Sequence, residues 1–199
     1  MVAWGRRNYA KYPWRSTPNR WHALVAEIML QRTRADQVVG PYQDFVRRYP
    51  DPGDFLVAPN TGVFDSLGLI TREKRLGDLA LALQGSDIPE GRASLLALPG
   101  VGSYIAAAFR SFHCGIRDVI IDSNVVRLYG RLFGFEYDGE TRRKPWLREL
   151  ADRITPARIY RDFNYAVIDF TRSICKPRPD CGHCMLNAQC AYYTATCES

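Results

Sequence analysis

Apolar residues recur along this chain with the spacing of α-helices. The clearest case is the segment 21–33, in which five large apolar residues fall on one helical face: Trp21, Leu24, Val25, Ile28 and Met29. The same spacing predicts helices over 146–154 and 163–174, and turn-forming residues separate shorter helical segments between 35 and 83. No segment shows the strict alternation of a half-buried strand. The pattern therefore predicts an all-α protein.

A short glycine-rich turn interrupts the helical pattern in the middle of the chain. It comprises Leu98, Pro99, Gly100, Val101 and Gly102, and a helix of small residues begins at Ser103. A glycine turn that leads into a helix directs several backbone N–H groups at one point, which suits a phosphate of any nucleotide sequence. The alternative is an ordinary turn between two helices.

Asp122 follows the apolar run 119–121 and precedes a predicted helix that begins at Ser123. Aspartate is favoured at helix N-termini, so one interpretation is a structural cap. A capping carboxylate beside apolar residues also has a fixed orientation, and a catalytic carboxylate requires one. Asp122 is therefore a candidate catalytic residue.

Glu27 is the only charged residue between Trp21 and Gln31, and its predicted helix is apolar on most sides. We therefore expect its side chain to be partly buried. Burial disfavours the charged form, so the pKa of Glu27 is expected to be raised, and the group to hold a proton near neutral pH. The alternative is a buried glutamate satisfied by a backbone partner.

Four cysteines lie close together near the C-terminus: Cys175, Cys181, Cys184 and Cys190. Two pairs of structural zinc ligands are usually separated by a longer loop, whereas four closely spaced thiolates suit a [4Fe–4S] cluster. Zinc is the alternative metal. Two further cysteines, Cys114 and Cys197, lie outside this pattern.

Composition and charge narrow the class of protein. The chain has 199 residues, of which 46% are hydrophobic and 24% charged, so it can form packed cores. Its formal net charge is +6, and residues 1–50 alone carry a net charge of +6. A basic chain suits a polyanion such as DNA. No apolar run is long enough to span a membrane, and the first residues do not form a signal peptide, so we expect a soluble cytoplasmic protein.

The glycine turn and the aspartate together carry a resemblance to a known family. LPGVGSYIAAA at 98–108 and IDSNVVR at 121–127 resemble the helix-hairpin-helix DNA glycosylases, the superfamily of endonuclease III and adenine DNA glycosylase. The resemblance extends from about Tyr12 to the C-terminus, and the segment 161–164 is similar to the family's final core helix. Endonuclease III relatives commonly space their first two cluster cysteines one residue further apart.

This resemblance implies an all-α fold of two domains. We expect a six-helix barrel domain with the helix-hairpin-helix at 22–132. Residues 1–21 and 133–199 are expected to form a second helical domain, with a structural [4Fe–4S] cluster held by the four cysteines of the loop 175–190. The implied partner is double-stranded DNA with a mismatched or damaged base. We expect a monomer, associated with the nucleoid of a prokaryote.

The resemblance also implies roles for individual residues in excising a flipped base. Asp122 would stabilise the positive charge that develops on the sugar and orient the attacking water, and Glu27 would contact the base. Tyr104 stands where strand-cleaving relatives carry a lysine that forms a Schiff base, and a phenol cannot form that imine. The expected enzyme is therefore monofunctional and leaves an abasic site. The expected DNA contacts are Leu98, Gly100, Val101, Gly102, Ser103, Gln31 and Arg32.

Two subfamilies fit these motifs, one removing thymine or uracil opposite guanine and the other adenine opposite 8-oxoguanine. Adenine enzymes tend to carry Gly-Tyr-Tyr where this chain has Gly68-Leu69-Ile70, and they usually have a further C-terminal domain. The cysteine spacing and Tyr192-Tyr193 also favour the thymine glycosylases. A non-catalytic DNA-binding module is a third hypothesis, but it does not explain Glu27 together with Asp122.

Overall fold

The protein is all-α, as the sequence predicts. The computed structural model describes residues 1–31, 33–58 and 70–197, and within these ranges it contains eleven α-helices and no β-strand. No helix in the described ranges combines the length and the apolar composition that a membrane crossing requires.

The helices follow one another along the chain, with short 3-10 turns and loops between them. They are α1 (Val2–Asn8), α2 (Arg20–Met29), α3 (Ala35–Arg48), α4 (Pro52–Val57), α5 (Ile70–Leu83), α6 (Arg92–Leu96), α7 (Ser103–His113), α8 (Ser123–Phe133), α9 (Pro145–Ile154), α10 (Tyr160–Ser173) and α11 (Ala191–Cys197).

The chain forms two compact units. Residues 11–116 form the central unit, and residues 1–10 together with 117–199 form the terminal unit. This division differs from the expected domain boundaries at 22 and 132. Helix α8 belongs to the terminal unit because it packs against α10 and α11, and the 3-10 helix Pro13–Ser16 joins the central unit because it packs against α2 and α3.

Helix α2 lies in the core of the central unit. Trp21 and every residue from Ala23 to Met29 are buried, and the helix packs against α3, α5 and α7. The side chain of Asn19 caps it by accepting a hydrogen bond from the backbone of His22. The helix ends before residue 33, which corrects the predicted range, because the chain tightens into a turn: the N–H of Gln31 donates to the carbonyl of Ile28.

Helix α10 has the corresponding position in the terminal unit, where it packs against α1 and α8. Gly5 of α1 lies so close to α10 that a Cβ atom there would be 2.5 Å from the Cβ of Ala166, so a larger residue would separate the helices. The ring of Trp4 meets the ring of Phe170 edge-on at a centroid distance of 5.1 Å. These contacts hold the N-terminal helix on the core that carries α8.

Candidate active site

The predicted hairpin forms a tight turn between α6 and α7. Gly100 has φ +78°, a conformation that favours glycine, and the N–H of Val101 donates to the carbonyl of Leu98 at 3.2 Å. Val101 is buried in the core of the central unit, whereas Gly100, Gly102 and Ser103 are exposed. The apolar side of the turn is thus anchored while its backbone faces solvent.

Gly102 is the N-cap residue of α7, and the first turn of this helix has no side-chain cap. A glycine has no side chain that could accept hydrogen bonds from the N–H groups at this helix end. The macrodipole places a partial positive charge at the same end. An external anion can therefore take the position of the missing cap.

Glu27 is buried in the core of the central unit, with 4% of its surface exposed. Its Oε2 atom has no hydrogen-bond partner in the part of the chain that the structure describes. Burial raises the pKa of Glu27 to about 7, although the charge of Arg15 acts in the opposite direction. The carboxyl group can therefore hold a proton near neutral pH.

Two other predicted residues of the central unit are half-buried, and the remaining ones lie outside the described residues. Tyr104 is half-buried against the core at the start of α7, and α7 packs against α2, the helix that carries Glu27. Gln31 is half-buried in the turn after α2. Arg32 and the motif at 68–69 lie outside the described residues.

Asp122 is the N-cap residue of α8, and both of its carboxylate oxygens accept hydrogen bonds. Oδ1 accepts from the backbone N–H of Val125 at 2.7 Å, and Oδ2 accepts from the side-chain amide of Asn124 at 2.8 Å. Asp122 therefore caps α8 in the structure. The cap also fixes the orientation of a half-buried carboxylate, so the structural and the chemical interpretations of Asp122 are compatible.

A chain of hydrogen bonds joins Asp122 to the cysteine loop within the terminal unit. The side-chain oxygen of Asn124 accepts from the Arg127 guanidinium at 3.0 Å. The same guanidinium donates to the carbonyls of Thr171 and Cys175, at 3.2 and 3.0 Å. Sequence reasoning missed Asn124 and Arg127, although their spacing of three residues on a helix was a usable signal.

The four predicted cysteines of the loop line a single cavity in the terminal unit, beside the apolar residues Phe170, Ile174 and Leu186. Burial has the largest effect on the Cys184 thiol and raises its pKa. Backbone hydrogen bonds lower this pKa, the neighbouring thiols of Cys175 and Cys190 raise it, and the net effect is an increase. Several thiolates gathered here would repel one another unless a positively charged group neutralised them. This donor set fits a group held by thiolates.

Arg131 supports this loop from α8. Its guanidinium lies 3.7 Å from the Sγ of Cys175 and 4.8 Å from the ring centroid of Tyr192, and it donates to the carbonyl of Lys176. The Sγ of Cys190 lies 3.4 Å from the backbone oxygen of Arg131. In the described residues no three His, Cys, Asp or Glu side chains form a site for a single metal ion.

Comparison with known proteins places this architecture in a family. No family model matches the chain. A thymine/uracil-DNA glycosylase of Methanothermobacter thermautotrophicus is 35% identical over 92% of this chain and 86% of its own length. A thymine-DNA glycosylase of Aeropyrum pernix is 37% identical over 91% of this chain and 86% of its own length. The solved structure of a thermostable thymine-DNA glycosylase matches with a TM-score of 0.91 and 33% identity, over 98% of this chain and 93% of that one.

The fold is shared more widely. A structure of endonuclease III in a non-covalent DNA complex matches with a TM-score of 0.86 at 21% identity, over 100% of this chain and 94% of that one. The fold and the hairpin are those of the helix-hairpin-helix DNA glycosylases. Because its relatives match over most of both lengths at more than 30% identity, the chain belongs to the family of thymine/uracil-DNA glycosylases within that superfamily. This confirms the resemblance seen in the sequence.

Proposed function

We propose that this protein is a monofunctional mismatch DNA glycosylase. It flips thymine or uracil out of G·T and G·U pairs and hydrolyses the bond between the base and the sugar. A monomer acting on double-stranded DNA is sufficient. The observation that carries the proposal is the Asp122 carboxylate, which two hydrogen bonds hold in one orientation. The names of the similar thymine and thymine/uracil glycosylases support the choice of base.

In this proposal Asp122 acts on the sugar. As the C1′–N bond breaks, positive charge develops at C1′, and a fixed carboxylate stabilises it. Water then attacks C1′ and transfers a proton to Asp122. Because Asn124 and the backbone of Val125 already orient the carboxylate, little reorganisation is needed during the reaction.

Glu27 serves the departing base. With a pKa of about 7, it is partly protonated at neutral pH and can donate a hydrogen bond or a proton to the base as the electron pair of the C1′–N bond moves there. Its Oε2 has no hydrogen-bond partner among the described residues, which leaves an oxygen for this contact. Tyr104 cannot form an imine with the sugar, so the product is an intact strand with an abasic site.

The cysteine loop is proposed to hold a [4Fe–4S] cluster through Cys175, Cys181, Cys184 and Cys190. Such a cluster would tie the loop together and neutralise the gathered thiolates. Analysis of iron and sulfide in the purified protein should give about four of each per chain. Cys184→Ser should lose this content, whereas the control Cys114→Ser should keep it. Purified protein that contains zinc instead would contradict the cluster.

Single-turnover excision on labelled duplexes tests the reaction. Duplexes carrying G·T, G·U, A·T and 8-oxoguanine·A are compared with and without alkali. We expect cleavage of the G·T and G·U duplexes only after alkali. Strand cleavage without alkali would contradict the monofunctional assignment. Release of adenine opposite 8-oxoguanine with G·T untouched would favour the alternative function of an adenine DNA glycosylase.

A further inference from the structure

An arginine of α5 lies beside the hairpin. A Cβ atom built on Gly100 would be 3.8 Å from the Cβ of Arg75, so the Arg75 side chain starts beside the turn. The side chain of Arg75 is exposed. Sequence reasoning did not single out this residue, because 25 positions separate it from Gly100.

The core of the central unit determines this neighbourhood. Helix α5 buries Leu76 and Leu79 in the same cluster that contains Val101 of the hairpin and Ile105 of α7. Because these apolar contacts set the rotation of α5, Arg75 is held next to the hairpin at a position defined by buried packing. The packing fixes the point from which the side chain extends, so binding a ligand does not require α5 to move.

Arg75 forms no ion pair within the described part of the central unit. Ion pairs there join Arg20 to Glu90 and Arg47 to Asp44, and Arg75 takes part in neither. The Cβ of Arg75 lies beside Gly100, two residues before the N-cap Gly102 of α7, and this helix end has no side-chain cap.

We propose that Arg75 completes the phosphate site of the hairpin. The N–H groups at the start of α7 provide directed hydrogen bonds but only partial charge. The Arg75 guanidinium adds a full positive charge and a planar pair of donors that match phosphate oxygens. This inference rests on the proposed function, which supplies DNA as the ligand. Contacts to phosphate carry no sequence information, so Arg75 raises affinity for any duplex.

The test measures Kd for an undamaged duplex at several salt concentrations, from about 50 to 200 mM, by fluorescence anisotropy with the full chain. Loss of one phosphate contact lowers the slope of log K against log salt by about 0.9 in magnitude, and weakens binding about eightfold at 0.1 M salt. We expect this result for Arg75→Ala. Arg75→Lys keeps the charge and should keep the slope. Arg153→Ala, which removes an exposed arginine from α9, is the matched control and should change Kd less than about twofold.

Each outcome decides the inference. A slope that is the same in Arg75→Ala and the wild type would overturn it. Weaker binding with an unchanged slope in both Arg75 variants would assign Arg75 a structural role and would also overturn it. If the melting temperature shows that Arg75→Ala does not fold, Arg75→Gln replaces it in the same measurement. The proposed function fails separately, if the wild type releases no base from G·T or G·U.

Discussion

Two helix N-termini in this molecule differ in whether a side chain caps their free N–H groups. Helix α7 begins at Gly102 without a side-chain cap, whereas α8 begins at Asp122, whose carboxylate caps its own helix. Both cap residues have extended backbones, with φ −91° and −116°. The difference therefore lies in the side chain. An uncapped helix end can bind an external anion, and a capped one holds a carboxylate in place.

Asp122→Asn separates the cap from the charge at the second of these ends. Asparagine caps helices about as well as aspartate, so the melting temperature should change little. The neutral amide cannot stabilise positive charge on the sugar, and we expect single-turnover excision to fall by about 10³-fold with Kd for DNA retained. Unchanged excision would mean that Asp122 is only a cap.

Glu27→Gln tests the second carboxyl group of the candidate site, which differs from that of Asp122 in its hydrogen bonding. Glu27 lacks a described partner for Oε2, and its pKa is about 7, so its protonated form is the donor. We expect excision to decrease above pH 7 as this form is lost. Glu27→Gln should lower the rate by about 10²-fold and abolish this decrease. A wild-type rate that stays constant from pH 6 to 8 would contradict the role of a proton on Glu27.

The same substitution should increase stability at high pH. Because the folded-state pKa of about 7 exceeds the ordinary value of 4.5, the folded protein binds more protons, and its stability falls as pH rises between these values. At pH 8 the buried charge therefore costs about 3 kcal/mol. Glu27→Gln should unfold in urea at a higher midpoint than the wild type at pH 8, and the difference should shrink at pH 5.

Gly102→Asp tests the comparison directly by giving α7 the cap that α8 has. Apart from its chain neighbours and the backbone of its own helix, no described residue has an atom within 4 Å of a Cβ at Gly102, and the backbone conformation there suits an N-cap aspartate. Because glycine is itself a tolerated N-cap residue, we expect the helix to gain only roughly a few tenths of a kcal/mol of stability. The new carboxylate should displace and repel phosphate, so binding should weaken more than about tenfold. Gly102→Ala is the control without charge. Unchanged affinity in Gly102→Asp would exclude this helix end as a phosphate site.

Asn124→Ala probes the second hydrogen bond of Asp122. Without the amide, Oδ2 loses a partner at 2.8 Å and the carboxylate gains freedom. A hydrogen bond to a charged group contributes about 1.5 kcal/mol, so excision should fall about tenfold or less. Ser123→Ala, at the neighbouring exposed position, is the control and should keep the wild-type rate. Equal rates in the two variants would mean that the cap alone orients Asp122.

Much of the fold and of the candidate site follows from local patterns in the sequence. Helical spacing of apolar residues predicts α2, and the absence of any other charge near Glu27 predicts its burial. The glycines predict the turn at 98–102, and the position of Asp122 before a helix predicts the cap. These features depend on residues close together in the chain, whose preferences for turns, caps and helical faces act locally.

Tertiary structure decided what depends on residues far apart. The boundary between the two units follows from the packing of α8 on α10, and it lies at a different position from the boundary at 132 that the sequence suggested. The bond from Arg127 to the Cys175 carbonyl spans 48 residues, and the approach of Arg75 to Gly100 depends on the packing of α5. No local preference encodes such contacts, because they arise only when separate helices bury their apolar faces in one core.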